Sequence, residues 1–204
     1  VLLFHGLFGS LSNFQEMMDI TKDKYRFIMP LLPLYDCELK NANLDGLLKY
    51  VRGFIESLNL KNYSILGNSL GGHLALLYEL NYPDEAKSLI LTASSGLFEN
   101  SLGNEYPKKD TEYLRGKILE TFGNKEMVTD QLVGEVESIV NSKSNAIRII
   151  KCAKSATRQN LTNMIQKIAI LLAFLFEPKL SIPFIFFIML ESINKFLKLC
   201  VLIS

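Results

Sequence analysis

The chain has 204 residues, a formal net charge of +1 and 49% hydrophobic residues, which is typical of a folded globular domain and excludes a disordered or fibrous class. The near-zero charge, with no basic block or polybasic helix recognised in the sequence, argues against nucleic acid as a partner. Cys37, Cys152 and Cys200 have neither zinc-ligand nor disulfide spacing, so we expect reduced thiols in a cytoplasmic protein.

Strand and helix signals alternate along the first half of the chain. Residues 1–4, 25–30, 63–66 and 88–92 are predicted strands, the third broken by Gly67. Predicted helices run from Ser12 as N-cap to about Ile20, over residues 43–58 and over residues 70–80. This rhythm predicts a parallel sheet with right-handed crossovers. The chain starts at Val1 inside an apolar run, so we expect its N-terminus to be cut into an existing fold.

The strand signal disappears between residues 110 and 168, where residues 125–140 and 144–156 have the pattern of amphipathic helices. The sequence therefore predicts a core domain over residues 1–96 and a helical cap over residues 97–167, above the edge where open α/β sheets bind ligands. Residues 168–204 form a third part, an apolar tail of abruptly different composition.

The most informative motif is Gly67-Asn68-Ser69-Leu70-Gly71, a Gly-x-Ser-x-Gly sequence between a predicted strand and a predicted helix. A serine on such a sharp turn exposes its hydroxyl above the sheet, and glycines on both sides prevent collisions. We predict that Ser69 is a nucleophile. The backbone N–H of Leu70, at the positive end of the helix, is a predicted oxyanion donor.

A second turn, His5-Gly6, ends the first predicted strand about sixty residues earlier. In this architecture such a turn supplies the second oxyanion donor, for which we predict the N–H of Leu7. His5, Gly6, Gly67 and Gly71 are expected to support the site. No residue cluster suggests a metal or an organic cofactor, so none is expected.

Residues 2–6 and 66–73, with Pro83 and the strand at 89–92, resemble the α/β-hydrolase fold family of esterases, lipases and meta-cleavage product hydrolases. The resemblance covers residues 1 to about 168. It implies a mostly parallel sheet with flanking helices and a cap, and it makes Val1 the start of the third family strand. It also implies an acid and then a histidine after the cap.

A serine hydroxyl needs a catalytic base near pH 7, and a suitable base for Ser69 is hard to find in this sequence. The sequence holds two histidines; His5 belongs to the oxyanion turn, and His73 lies four residues after Ser69 and points along the helix. Glu177 is a weak positional candidate for the acid. Truncation, a wrong reading frame in the tail, or a non-catalytic relative would each explain these gaps.

The tail contains two apolar runs, at residues 168–176 and 182–190, each too short to span a bilayer as a helix. Joined, they place Glu177 and Lys179 near the middle, which makes insertion marginal. Membrane contact through residues 168–190 is therefore the alternative to a cytoplasmic location.

The sequence thus predicts a serine hydrolase for a small-molecule ester or related acyl or carbon–carbon substrate, weakly active or inactive because its histidine is missing. The alternative is a non-catalytic hydrolase-fold binding protein.

Overall fold

The computed structural model describes residues 1–8, 14–97, 110–122, 125, 128–168, 171–176, 184–189 and 198–202. The strands in these ranges are β1 (Leu2–Phe4), β2 (Tyr63–Asn68), β3 (Ala86–Thr92), β4 (Leu171–Phe176), β5 (Phe184–Met189) and β6 (Lys198–Leu202). The helices are α1 (Gln15–Thr21), α2 (Leu44–Ser57), α3 (Leu70–Asn81), α4 (Thr111–Phe122), α5 (Asp130–Asn141) and α6 (Lys143–Arg158). Short 3-10 turns occur at Leu39–Asn41 and Ile165–Lys167.

The strands form one sheet in the order β1-β2-β3-β4-β5-β6. Strands β1 to β4 are parallel, whereas β5 and β6 are added antiparallel. Phe4 lies opposite Gly67, and Asn68 lies opposite Thr92. The carboxyl ends of β1, β2 and β3 therefore meet at one edge of the sheet, and the predicted mostly parallel α/β architecture with flanking helices is confirmed.

Alternating side chains place hydrophobic cores on both faces of the sheet. Leu2, Phe4 and Ile65 belong to a large core shared with helices α2 and α3. Leu3 and Leu66 point to the opposite face and pack with Phe14, next to α1. This is the two-residue period of a strand buried on both sides, and each such fully buried side chain contributes about 1.5–3 kcal/mol.

The prediction of a strand at residues 25–30 is wrong. A single parallel bridge joins Ile28 to Leu2, with Leu3 N–H donating to Ile28 O and Ile28 N–H donating to Val1 O, each at 2.9 Å. Pro30 has no N–H to continue the ladder. The segment therefore lines the outer side of β1 without becoming a regular strand.

The helix predicted over residues 43–58 is confirmed as α2, capped by Asn43, whose side chain accepts from Gly46 N–H at 2.9 Å. The first predicted helix is observed as α1 from Gln15, but its proposed cap Ser12 lies outside the described residues.

Helices α4, α5 and α6 fill the region assigned to a cap. Helices α4 and α5 share a separate hydrophobic cluster that includes Leu114, Ile118 and Val136. The helix predicted from Lys125 in fact starts at Asp130, because the Thr129 hydroxyl caps it by accepting from Leu132 N–H at 3.2 Å. The helix predicted over residues 144–156 is confirmed and is slightly longer.

Helix α6 corrects one expectation from the sequence. It carries five basic residues and no acidic one over its 16 residues. Helical periodicity groups these charges, which do not form a contiguous block in the sequence. The chain does contain a basic helix.

Strands account for both apolar runs of the tail within the described residues. Strand β4 pairs in parallel with β3, and β5 follows as its antiparallel neighbour. A single helix joining the two runs is therefore wrong. In the described part of the chain, no helix has the length and apolarity to cross a membrane.

Candidate functional site

Ser69 occupies a strained turn between β2 and α3. Its backbone has φ 52° and ψ −116°, a conformation that costs a non-glycine residue about 1–3 kcal/mol. Hydrogen bonds hold it there: Ser69 N–H donates to Thr92 O at 3.0 Å, and Ser69 O accepts from the N–H groups of Gly72 (3.0 Å), His73 (3.2 Å) and Ser95 (3.1 Å). The residue remains partly exposed. The predicted serine turn is therefore observed.

Two glycines permit this turn by allowing backbones to touch. A Cβ atom on Gly67 would lie 2.4 Å from the carbonyl oxygen of Gly71, and a Cβ on Gly71 would lie 1.9 Å from the carbonyl oxygen of Phe4. Real Cβ contacts do not become this short, so no larger residue fits without moving the backbone. Gly71 thus lets the start of α3 press against the end of β1.

The second predicted turn lies beside Ser69. A Cβ on Gly6 would stand 3.2 Å from the Cβ of Ser69 and 3.3 Å from Oδ1 of Asn68. The hydroxyl of Tyr35 donates to the carbonyl oxygen of Leu7 at 2.5 Å and so ties this loop to the segment that follows Ile28. The two turns with predicted oxyanion donors therefore meet at the carboxyl edge of the sheet, while the donor role of the Leu7 and Leu70 N–H groups stays a prediction.

His5 uses both ring nitrogens to hold the loop. Nε2 accepts from Leu32 N–H at 3.0 Å, so Nδ1 carries the proton and donates to Gly6 O at 2.9 Å. The side chain is 2% exposed, and burial lowers the pKa of His5. This neutral imidazole is a structural support of the turn and has no free nitrogen for Ser69.

His73 contacts the residue that caps the end of helix α6. Its Nε2 donates to the carbonyl oxygen of Gln159, just after α6, at 2.8 Å. Nδ1 is buried and has no hydrogen-bond partner among the described residues, and burial lowers the pKa of His73. The ring thus links α3 to the residue that follows α6.

Several supporting contacts were not identified from the sequence. The Asn68 side-chain amide donates to Oγ1 of Thr92 at 2.9 Å, and the Ser95 hydroxyl donates to Ser69 O at 3.3 Å. Tyr35 fixes Leu7, as described above. These residues come from different strands and loops, so no local pattern marks them, although Thr92 ends a predicted strand and Asn68 follows two residues after another.

The acid candidate Glu177 lies outside the described residues. Cys37 and Cys152 are free thiols, and burial, together with the nearby Cys37, raises the pKa of Cys152 to about 12. Cys152 is therefore protonated at neutral pH and is a poor nucleophile or metal ligand. In the described ranges, no three His, Cys, Asp or Glu residues group as metal ligands.

Comparison with known proteins adds a family context. Residues 1–129 match the model of the alpha/beta hydrolase fold family. An uncharacterized hydrolase, YugF, of Bacillus subtilis is 30% identical over 101 residues, which cover 48% of this chain and 37% of that protein. The monoacylglycerol lipase ABHD6 of Bos taurus is 25% identical over 126 residues, covering 59% of this chain and 37% of that protein.

Among solved structures, an alpha/beta hydrolase enzyme from a sediment metagenome of the Mar Chica lagoon, Morocco, superposes with a TM-score of 0.65 at 27% identity. The superposition covers 86% of this chain and 66% of that one. The matches to YugF and ABHD6 each span little more than a third of those proteins.

Proposed function

Because the chain belongs to the α/β-hydrolase fold family, we propose that it carries the nucleophile and oxyanion part of a serine hydrolase. The substrate class is a carboxylic ester or a related acyl or carbon–carbon compound. A monoacylglycerol is a suitable first test substrate, since a relative bears the name of a monoacylglycerol lipase.

The observation that carries this proposal is the conformation of Ser69 beside Gly6. A positive φ at a serine is costly and persists only where the surroundings enforce it. Here four backbone hydrogen bonds enforce it, at the edge where parallel sheets bind ligands. The position of this strained serine at that edge, beside Gly6, favours a chemical role.

In the proposed reaction with an ester, the Ser69 hydroxyl oxygen attacks the carbonyl carbon of the substrate. The carbonyl oxygen gains negative charge and receives hydrogen bonds from the N–H groups of Leu70 and Leu7. The tetrahedral intermediate then breaks its bond to the alcohol oxygen, the alcohol leaves with the serine proton, and the acyl group stays on Ser69. The serine proton needs an acceptor. Both ring nitrogens of His5 are bonded, and the unpaired Nδ1 of His73 is buried; the sequence contains no third histidine. We therefore expect slow acylation from these 204 residues.

A fluorophosphonate probe tests the nucleophile directly. We expect slow labelling, with mass spectrometry locating the adduct at Ser69, and S69A should abolish it. S57A, at an exposed helical serine, should label like the wild type. Labelling that is unchanged in S69A would refute the proposed nucleophile, and labelling as fast as in a complete serine hydrolase would refute the lack of a base.

Because both histidines bind backbone groups, one alternative is a non-catalytic protein that binds an acyl ligand next to Ser69. In that case a non-hydrolysable ester analogue should bind S69A and the wild type with equal affinity, and the probe should not react. Covalent labelling at Ser69 decides against this alternative.

A further inference from the structure

The exposed face of α6 concentrates positive charge. Lys143, Ile147, Lys151, Lys154 and Arg158 are all exposed, and we call these five residues the basic face. At 3.6 residues per turn they fall within an arc of about 80° and extend over about 23 Å of helix. The opposite side of α6 is buried through Ile149, Cys152 and Ala156. One side of this helix is therefore anchored, and the other presents four cations.

The stability of the helix accounts for only part of this arrangement, since Arg158 alone lies in the last turn, where a cation is favourable. Surface helices commonly alternate acidic and basic residues at i,i+4 spacing, but α6 contains no acidic residue. Lys143 is the first residue of α6, where a cation opposes the helix dipole. The charges thus lack the intrahelical partners that a solvated helix face normally has.

Acidic residues on the neighbouring helix α5 are engaged elsewhere. Asp130 pairs with Arg115 of α4 at 2.6 Å, and Glu137 accepts from the Thr111 hydroxyl at 3.0 Å. Glu135 accepts from Gln131 within α5 itself. On the α2 side, Asp45 accepts from the Gln159 amide at 3.2 Å. None of these bonds includes a cation of the basic face.

Apolar side chains accompany the cations. Ile147 is 39% exposed in the middle of the basic face, and Leu39 is 44% exposed. Lys151 Nζ donates to the carbonyl oxygen of Leu39 at 2.6 Å, so Leu39 lies beside the face. The nearby Glu38 is paired with Lys40 at 2.7 Å. Cations mixed with exposed aliphatic groups suit a lipid surface, which offers both anionic headgroups and an apolar layer.

We propose that the basic face, together with Leu39, docks on a bilayer that contains anionic lipids. The lysines and Arg158 contact headgroup phosphates, and Ile147 and Leu39 enter the headgroup boundary. A nucleic acid offers phosphates but gives exposed aliphatic side chains no counterpart, and the basic face has no aromatic residue for base stacking. This inference goes beyond the proposed hydrolase function and does not depend on Ser69.

Co-sedimentation with vesicles tests the proposal. The full chain should bind vesicles of phosphatidylcholine mixed with phosphatidylglycerol, release at high salt, and bind phosphatidylcholine vesicles only weakly. The double variant K143Q/K154Q should lower the partition coefficient about fivefold per charge, or about 25-fold in all. I147S should lower it about threefold to tenfold through loss of apolar contact.

The matched control is K22Q/K24Q, which removes the same net charge at two exposed lysines near the end of α1. Its binding should change by less than about twofold. Equal binding to neutral and anionic vesicles, no binding to either, or an equal loss in the control variant would each overturn the proposal. Binding to a DNA duplex without binding to anionic vesicles would overturn it as well.

Discussion

The Cα of Gly71 lies so close to the carbonyl of Phe4 that an added Cβ would stand 1.9 Å from the Phe4 oxygen. This contact joins the first turn of α3, which directly follows Ser69, to the carboxyl end of β1. Because both partners are backbone groups, no side-chain rearrangement can relieve a larger residue at this position.

We expect G71A to destabilise the fold by about 3 kcal/mol or more, and to reduce labelling of Ser69 further. G53A is the matched control, because Gly53 also lies inside a helix but, apart from its own helix backbone, has no atom within 4 Å of an added Cβ. The G53A substitution should stabilise the folded protein by about 0.5–1 kcal/mol, because alanine has the higher helix propensity. Urea denaturation of both variants measures the two effects, and effects of equal sign would contradict the close approach.

Arg52 of α2 binds the Glu85 carboxylate, the Tyr78 hydroxyl (3.2 Å) and Glu56 (2.6 Å), joining α2, α3 and the loop before β3. Hydrogen bonding to Arg52 lowers the pKa of Glu85. A carboxyl with a lowered folded-state pKa stabilises the fold above its unfolded pKa, near 4.5, and loses that contribution as the pH falls through the folded pKa.

The charge-neutral variant E85Q should therefore cost about 1 kcal/mol at pH 7, a small value because Glu85 is 36% exposed and solvent screens the pair. The difference in the free energy of unfolding between E85Q and the wild type should become smaller below pH 4.5. Denaturation at pH 7 and pH 3.5 tests this, and a difference that does not depend on pH would exclude the proposed ion pair as its source.

The pKa of Glu79, in α3, is shifted in the opposite direction from that of Glu85. It is 3% exposed, its Oε1 accepts from Asp84 N–H at 3.3 Å, and its Oε2 has no partner among the described residues. Burial raises its pKa. The unfolded chain ionises first, so the wild type should lose stability as the pH rises from 4.5 through the folded pKa.

E79Q should accordingly stabilise the protein by about 1 kcal/mol at pH 7 and by much less at pH 4. D23N, at an exposed loop position, should change stability by less than about 0.5 kcal/mol. Thermal melts across this pH range provide the measurement. Destabilisation by E79Q at pH 7 would mean that Glu79 is ionised and paired in solution.

His73 should make stability depend on pH in the weakly acidic range. Its pKa is lowered from 6.5 by burial, so the unfolded chain takes up the proton first. Stability should therefore decline as the pH falls below about 6.5, by up to about 1.4 kcal/mol per pH unit for this group, until the folded pKa is reached.

H73L should flatten this slope while lowering stability at pH 7, because the bond to Gln159 is lost. His5 is also buried and has a lowered pKa, so the stability of that variant should still decline somewhat as the pH falls. Titration of the ring signals by NMR is the direct check. A folded-state pKa at or above 6.5 for His73 would show that the ring is not buried in solution, because burial is what lowers its pKa.

The sequence alone determined those elements whose conformation depends on residues close together in the chain. The apolar run at Leu2–Phe4, the period of α2 behind Asn43, and the Gly-x-Ser-x-Gly turn each carry a complete local signal, and each is found where it was predicted. The strained Ser69 belongs to this class because glycines two residues away on either side make the turn possible.

Tertiary structure alone decided what depends on groups far apart in the chain. Residues 25–30 have strand composition but meet only β1, so they form a single bridge. From the sequence, the apolar runs of the tail are interpreted only as a marginal membrane helix, and they form strands because β3 offers β4 a parallel partner. The bond between His73 and Gln159 joins residues 86 positions apart, and the basic face exists because packing buries the opposite side of α6. Periodicity specifies which residues share a face, but only packing specifies which face remains in water.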